Sequence, residues 1–395
     1  MESQHMGIIT LLRSALKKEK LALPSDFNID DAIGIIHYHH LTGMVLQGAS
    51  LCGIPRNHPT VVKMTLSFCK DLQQSRRQMQ KLQQIYTLFD RERIDYLPIK
   101  GAVIKTLYPK PEYRLMGDAD VLIHPEQYPQ IKKLMIEADM KCANETNYEL
   151  AWTSSDLTIE LHKRLIATHN KDYHAYYGDG WPSFAEKGEV SSYYLRVEDH
   201  YIYLIVHFAK HYREGSVSAK NICDFWVCKN AWSNMDKTYV SNQLKKLKLL
   251  KFYNNLEDTL DAWFMGKEFT KAAELITQVA LEGAIYHYEE SERISTVLKL
   301  QKENKSFLAS KIIWTIRRLF PSIKIMECSH SILTKLPILL PFFWITRLFK
   351  IFFCEFDRVR QGITNMKEVS LLENESISDY EAQLHAVGLD FNFSE

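Results

Sequence analysis

Asp118 and Asp120 flank a single alanine at the head of the apolar run Val121, Leu122, Ile123. On a strand, residues two apart project to the same face, so both carboxylates can converge on one cation. Paired carboxylates with phosphate oxygens are what Mg²⁺ selects, because it favours hard oxygen ligands in near-octahedral geometry. The spacing alone says little: with 48 acidic residues in 395, chance supplies about six such triplets. Three neighbours lift it above that background. Glu160 lies centrally in the strand-like LTIELHKRL, where pairing beside residues 118–123 would bring a third carboxylate. Lys100 and Gly101 end a short apolar run and open a helix, a turn whose backbone N–H groups and ammonium suit a phosphate. Arg114 stands four residues before Asp118, in a loop bordering the same place. Together these describe a two-metal phosphoryl-transfer site. The plain alternative is a solvated acid pair at a strand edge, with Glu160 in a surface ion pair.

Further polar groups stand in an apolar setting downstream. His207 and His211 are four apart and share one helix face. Asp224 on the next helix could join them around a metal or acceptor, or tie to one of them as a structural link. Lys220, four residues before Asp224, is within reach of a triphosphate. His37, His39 and His40 belong to an N-terminal helical face, and Trp226 and Trp344 are expected in the core.

These groups need elements to position them. In residues 7–20 and 30–50 apolar positions recur every three or four residues, predicting amphipathic helices. A longer helix is predicted over 61–91. The pattern changes at Ile94: a short strand ending at Lys100, a helix-like GAVIKTLY, the turn-forming PKPEYR, a strand at DADVLI and a helix begun by a proline. YELAWT and LTIELHKRL then alternate as a β-hairpin with Asp156 in its turn. Helical periodicity returns from Glu198 onward. The fold class is therefore α+β, with an N-terminal helical domain (1–91), a small α/β core (92–197) and a C-terminal helical domain (198–395).

Composition narrows the function. Lys plus Arg number 49 against 48 Asp plus Glu, a net charge of +1, which excludes a polyanion binder held by bulk charge and disfavours long nucleic acid. Gly (15) and Pro (12) are too scarce for a turn-rich all-β or collagen-like chain. The seven cysteines are odd in number and contain no CxxC pair, predicting free, mostly buried thiols in a reducing interior. No signal-like N-terminus is evident, so the expected location is the cytoplasm. In residues 336–356 prolines 337 and 341 interrupt a run too short to span a bilayer. A helix packed on the protein's own core is expected there, with peripheral membrane contact as the alternative.

The stretch LPIKGAVIKTLYPKPEYRLMGDADVLI (97–123) resembles an uncharacterised bacterial nucleotidyltransferase family whose members carry a Lys-Gly, a Tyr-Pro, an Arg and an Asp-x-Asp. IELHKRL (159–165) is similar to that family's third-carboxylate strand, with His162 following. The helix bearing His207 and His211, the later ICDFW, and LPILLPFFWITRLF near the C-terminus resemble its remaining parts. The family is in turn similar to the polymerase-β-like nucleotidyltransferases. That resemblance implies a minimal polymerase-β-like α/β core flanked by helices, with Asp118, Asp120 and Glu160 as ligands of Mg²⁺ or Mn²⁺. It also implies a nucleoside triphosphate such as ATP around those ions, for which the residue reading offers Lys100, Gly101, Arg114 and Lys220. His162, His207, His211 and Asp224 would serve the acceptor or the structure. Where the wider superfamily has a Gly-Ser turn, this chain has Lys100-Gly101, like the turn of abortive-infection toxin-type enzymes. The expected reaction is transfer of NMP from an NTP to an acceptor (small molecule, protein or RNA end) with release of pyrophosphate. Two rivals stand beside it: a DxD-type glycosyltransferase, and a non-catalytic helical interaction protein with a relic nucleotide site.

Overall fold

A computed structural model describes residues 2–283 except 147 and 169, then 294–295, 297–300, 306–323, 326, 331–334, 336–354 and 374–390. Four helices come first: α1 (Ser3–Lys17), α2 (Ile29–Tyr38), α3 (Thr42–Leu51) and α4 (Pro59–Arg91). The sequence reads residues 30–50 as one helical stretch, but the chain breaks it at His40, whose φ is +54°. Asn28 and His58 cap α2 and α4 by accepting the N–H of Asp30 and of Thr60, satisfying donors that a helix start leaves open.

The α/β segment runs β1 (Tyr96–Ile99), α5 (Gly101–Ile104), β2 (Ala119–Ile123), α6 (Tyr128–Glu137), β3 (Lys141–Glu145), β4 (Glu149–Thr153) and β5 (Thr158–His162). The sheet order is β1-β2-β5-β4-β3. β2 and β5 are its parallel pair, while β1–β2, β5–β4 and β4–β3 are antiparallel. The predicted hairpin is β4–β5. β3 is an addition: KCANE shows no alternation and all five residues are exposed, so periodicity carries no sign of it. A short helix α7 (Lys171–Tyr177) and a ribbon, β6 (Ala185–Lys187) with β7 (Tyr193–Leu195), lead into the helices that follow. The ribbon too is absent from the sequence reading.

The two faces of the sheet differ. Ala119, Val121, Ile123, Leu150, Trp152, Ile159 and Leu161 pack with Leu82, Ile85 and Phe89 of α4 and Ile131 and Leu134 of α6 in one apolar core. Alternation sends Asp120, Glu149, Glu160 and His162 to the other face. There Leu97, Ile99 and Leu122 join a second core that also holds α1–α3 and the helices after residue 197. Those helices include α8 (Val197–Tyr212), α9 (Ala219–Ala231), α10 (Lys237–Lys246), α11 (Leu250–Leu260) and α12 (Lys271–Gln278). His39 helps join them, one ring nitrogen 2.8 Å from Ser218 Oγ and the other 2.9 Å from Leu281 O. Trp226 stacks on Phe264. Farther on lie α13 (Phe307–Leu319), α14 (Leu340–Cys354) and α15 (Asn374–Val387). Among the described residues no helix is long and apolar enough to cross a membrane. Cys223 and Cys228 are buried as expected, whereas Cys69 and Cys142 are exposed and Cys52 lies between; all five are free thiols.

Candidate active site

The parallel register of β2 and β5 sets Asp120 directly beside Glu160 and Leu122 beside His162. Both carboxylates therefore leave the sheet on the same face, one strand spacing apart. β2 starts at Ala119, so Asp118 sits on the turn ahead of the strand rather than within it. β1 lies on the other side of β2, pairing Ile99 with Asp120. The next residue, Lys100, turns back over the strand and its Nζ donates to Asp120 Oδ1 at 2.6 Å. Lys100 does this with φ +52° and ψ −125°, a conformation that costs a non-glycine residue about 1–3 kcal/mol and is found chiefly at functional sites.

His162 Nε2 is 2.8 Å from Asp120 Oδ1 and 3.6 Å from Glu160 Oε2, and its Nδ1 is 3.7 Å from Glu149 Oε2. One ligand atom from each of Asp120, Glu160 and His162 lies within 4.8 Å of the others. Asp118 is outside that tight set but lines the same cavity. Burial would raise the Asp120 carboxyl, but Lys100 and His162 outweigh it and hold it well below the usual carboxylate range. Glu160 goes the other way: burial, then the charges of Asp118, Glu149 and Asp120, push it up to about 7. Several acids thus share one face, and the adjacent cation, Lys100, is committed to Asp120. Such a set is short of positive charge. The residues present therefore fit a divalent ion.

The opposite wall comes from α8 and α9. A cavity of about 570 Å³ is lined by all eleven residues singled out from the sequence: Lys100, Gly101, Arg114, Asp118, Asp120, Glu160, His162, His207, His211, Lys220 and Asp224. Their engagements differ. Arg114 Nε donates to Asp224 Oδ1 at 2.9 Å and a terminal nitrogen donates to Oδ2 at 3.0 Å. Tyr108 Oη donates to the same carboxylate at 2.7 Å. Asp224 is therefore partnered by Arg114 and Tyr108, not by a histidine, and the Arg114 guanidinium is already matched by a buried carboxylate. His207 Nε2 lies 3.1 Å from His211 Nε2, and His211 Nδ1 lies 2.8 Å from Ser216 Oγ. Burial, then nearby lysines, holds the His211 ring neutral with its pKa down at about 3; burial and Lys100 lower His207 likewise.

α9 begins inside the cavity wall. Ser218 accepts the Lys220 N–H and Asn221 closes a reciprocal capping box, fixing the helix start and its positive dipole end beside the cavity. The Lys220 ammonium has no hydrogen-bond acceptor among the described residues. Burial, then Arg114, lowers its ammonium to about 8, so an anion entering here finds a cation already short of a partner. Lys220→Met is expected to raise the melting temperature of the free protein slightly, while weakening triphosphate binding about tenfold. Calorimetric titration with a nucleotide checks both the sign and the contrast.

Four further titratable residues of the lining escaped the sequence reading: Tyr148, Glu149, Lys210 and Glu214. Glu149 had a usable signal, because extending the hairpin from Asp156 pairs it with His162. Lys210 and Glu214 lie on and just after the histidine-bearing helix, where helical spacing alone does not mark them.

No curated protein and no solved structure matches the chain. Residues 25–265, which span the N-terminal helices from α2, the sheet and the helical wall with the whole cavity, match a family described as "Uncharacterised nucleotidyltransferase". The chain belongs to that nucleotidyltransferase family.

Proposed function

We propose that this protein is a metal-dependent nucleotidyltransferase that moves NMP from an NTP to an acceptor and releases pyrophosphate, on a minimal polymerase-β-like core. The observation that carries the reading is the in-register pair Asp120–Glu160 on adjacent parallel strands, with Asp118 on the turn before them. Asp118, Asp120 and Glu160 would hold Mg²⁺ or Mn²⁺, with His162 orienting Asp120 from 2.8 Å. Bound divalent ions supply Lewis-acid activation of the attacking oxygen and neutralise charge on the departing pyrophosphate.

The protein's own groups do the rest. Lys220 and the first turn of α9 bind the polyphosphate, and the Gly101 turn adds backbone donors. The Arg114–Asp224 pair ties the loop before β2 to α9. In the reaction an acceptor oxygen bonds to the α-phosphorus as the bond to the β-phosphate oxygen breaks. The electron pair leaves with pyrophosphate, and the acceptor proton passes to a carboxylate of the acidic face or to water. His207 and His211, held neutral and paired through their Nε2 atoms, line the acceptor side of the cavity without presenting a like charge to the ammonium groups. Excluding bulk water in a walled cavity strengthens each of these contacts.

The test is direct. Purified protein is incubated with each NTP labelled at the α-phosphorus, with Mg²⁺ or Mn²⁺ and cell extract as the acceptor source. Label should move to an acceptor and fail to move from a γ-labelled NTP. Label retained from the γ position, with none from the α position, would make the protein a kinase and sink the proposal.

A further inference from the structure

Charge is unevenly distributed along this chain. Seven of its 49 basic residues fall in 306–354 (Lys311, Arg317, Arg318, Lys324, Lys335, Arg347 and Lys350), against one acid, Glu327. That segment carries +6 and the rest of the chain −5. The same segment leaves large apolar side chains in water. On α13, Ile312 and Ile316 are 50% and 51% exposed and stand one helical turn apart; on and beside α14, Ile338, Phe342 and Ile345 are 85%, 58% and 56% exposed. Helical spacing puts Phe342 and Ile345 on one face.

The two helices are joined. The Trp344 indole N–H donates to Pro321 O at 2.9 Å, Arg347 donates to Leu319 O at 3.2 Å, and the Phe320 and Trp344 rings lie 5.4 Å apart. The exposed apolar groups therefore belong to one contiguous part of the molecule, which also carries the exposed Arg317.

We propose that α13 and α14 form a docking surface for an anionic lipid bilayer. Apolar side chains interleaved with cations match an interface in which rings enter the acyl boundary and ammonium and guanidinium groups meet phosphate. A spanning mode is excluded by length: fifteen residues in α14 reach about 22 Å, short of the roughly 30 Å hydrocarbon core. A second copy of the chain fits less well, because it would set two strongly cationic segments against each other. Lipid phosphate neutralises the charge that self-association would concentrate.

The full-length protein is sedimented with vesicles of phosphatidylcholine alone and of phosphatidylcholine mixed with phosphatidylglycerol. Binding is expected on the mixed vesicles, and raised salt should weaken it. The double variant Phe342→Ser, Ile345→Ser should lower partition at least about tenfold. Arg317→Glu, which removes no apolar group and so does not depend on tolerance of the serines, should lower it about tenfold as well. Circular dichroism checks that each variant is folded. Equal binding to both vesicle types, no binding to either, or variants that bind like the parent would overturn the proposal. So would a lipid-free oligomer that the serine substitutions dissociate, since the surface would then be a protein interface. No step of this test uses nucleotide transfer, so its outcome is separable from that of the proposed reaction.

Discussion

Asp120→Asn is expected to lower nucleotidyl transfer by at least about a thousandfold, the scale seen when a group acting on developing charge is removed, and to destabilise the fold as well. The second effect comes from what Asp120 does in the free protein. Its side chain is 7% exposed, and the carboxylate accepts from Lys100 Nζ at 2.6 Å while facing His162 Nε2 at 2.8 Å. An amide there leaves the Lys100 ammonium buried without its counter-charge. Breaking a buried pair from one side costs about 3–5 kcal/mol, and the nearby Glu160 should hold the loss near the lower end. Lys100 also spends strain energy to reach this position, so the loss of its partner removes the contact that offsets that cost. Chemical denaturation gives the stability term, and the α-labelled NTP assay on protein shown to be folded gives the rate. A folded Asp120→Asn protein keeping more than a tenth of parental activity would remove Asp120 from the site.

The parts of this site that a sequence reveals are those set by short-range periodicity. Asp118-x-Asp120 before an apolar run, and Glu160 inside an alternating strand, mark two strands that could pair once the hairpin is recognised, and β2 does pair with β5. His207 and His211 share a helix face for the same reason. Long-range closures are different. Arg114 and Asp224 are 110 residues apart, and nothing in either neighbourhood says that the arginine meets this carboxylate rather than a phosphate. Lys100 is harder still: lysine rarely adopts a positive φ, so its residue type points away from the turn it makes. β3 is invisible because its exposed KCANE sequence has no apolar alternation; it is held by backbone pairing to β4 and by the Tyr128 hydroxyl, which donates to Glu145 at 3.3 Å. His40 breaks a run that periodicity reads as continuous for a similar reason, since backbone reversal there leaves the apolar spacing on either side intact.

Acidic crowding also has a cost that can be measured without any substrate. Glu160→Gln should abolish transfer to about the same extent as Asp120→Asn, yet stabilise the metal-free protein above neutral pH. The sign follows from linkage. The folded-state pKa of Glu160 is raised to about 7 from 4.5 by burial and by Asp118, Glu149 and Asp120. Between those two values the native state binds more protons than the unfolded chain, so stability falls as pH rises through the window. Below about 4.5 Glu160 is protonated in both states and costs nothing; above about 7 it is ionised in both and its penalty is complete. Solvent reaches part of the side chain, 26% exposed, so the penalty is about 1–2 kcal/mol after screening. Asp120 has the opposite sign, its depressed pKa giving stability that is lost in acid, but it is common to parent and variant and cancels in their difference. Melting curves of the two proteins from pH 4 to pH 8 should therefore coincide at the acid end and separate by pH 7, with the glutamine variant the more stable. Mg²⁺ added at pH 8 should then raise the parent's melting temperature more than the variant's, because it supplies the charge that Glu160 lacks. Curves that stay superposed across the range would mean that Glu160 is not held among like charges, and the case for a cation at this face would lose its main support.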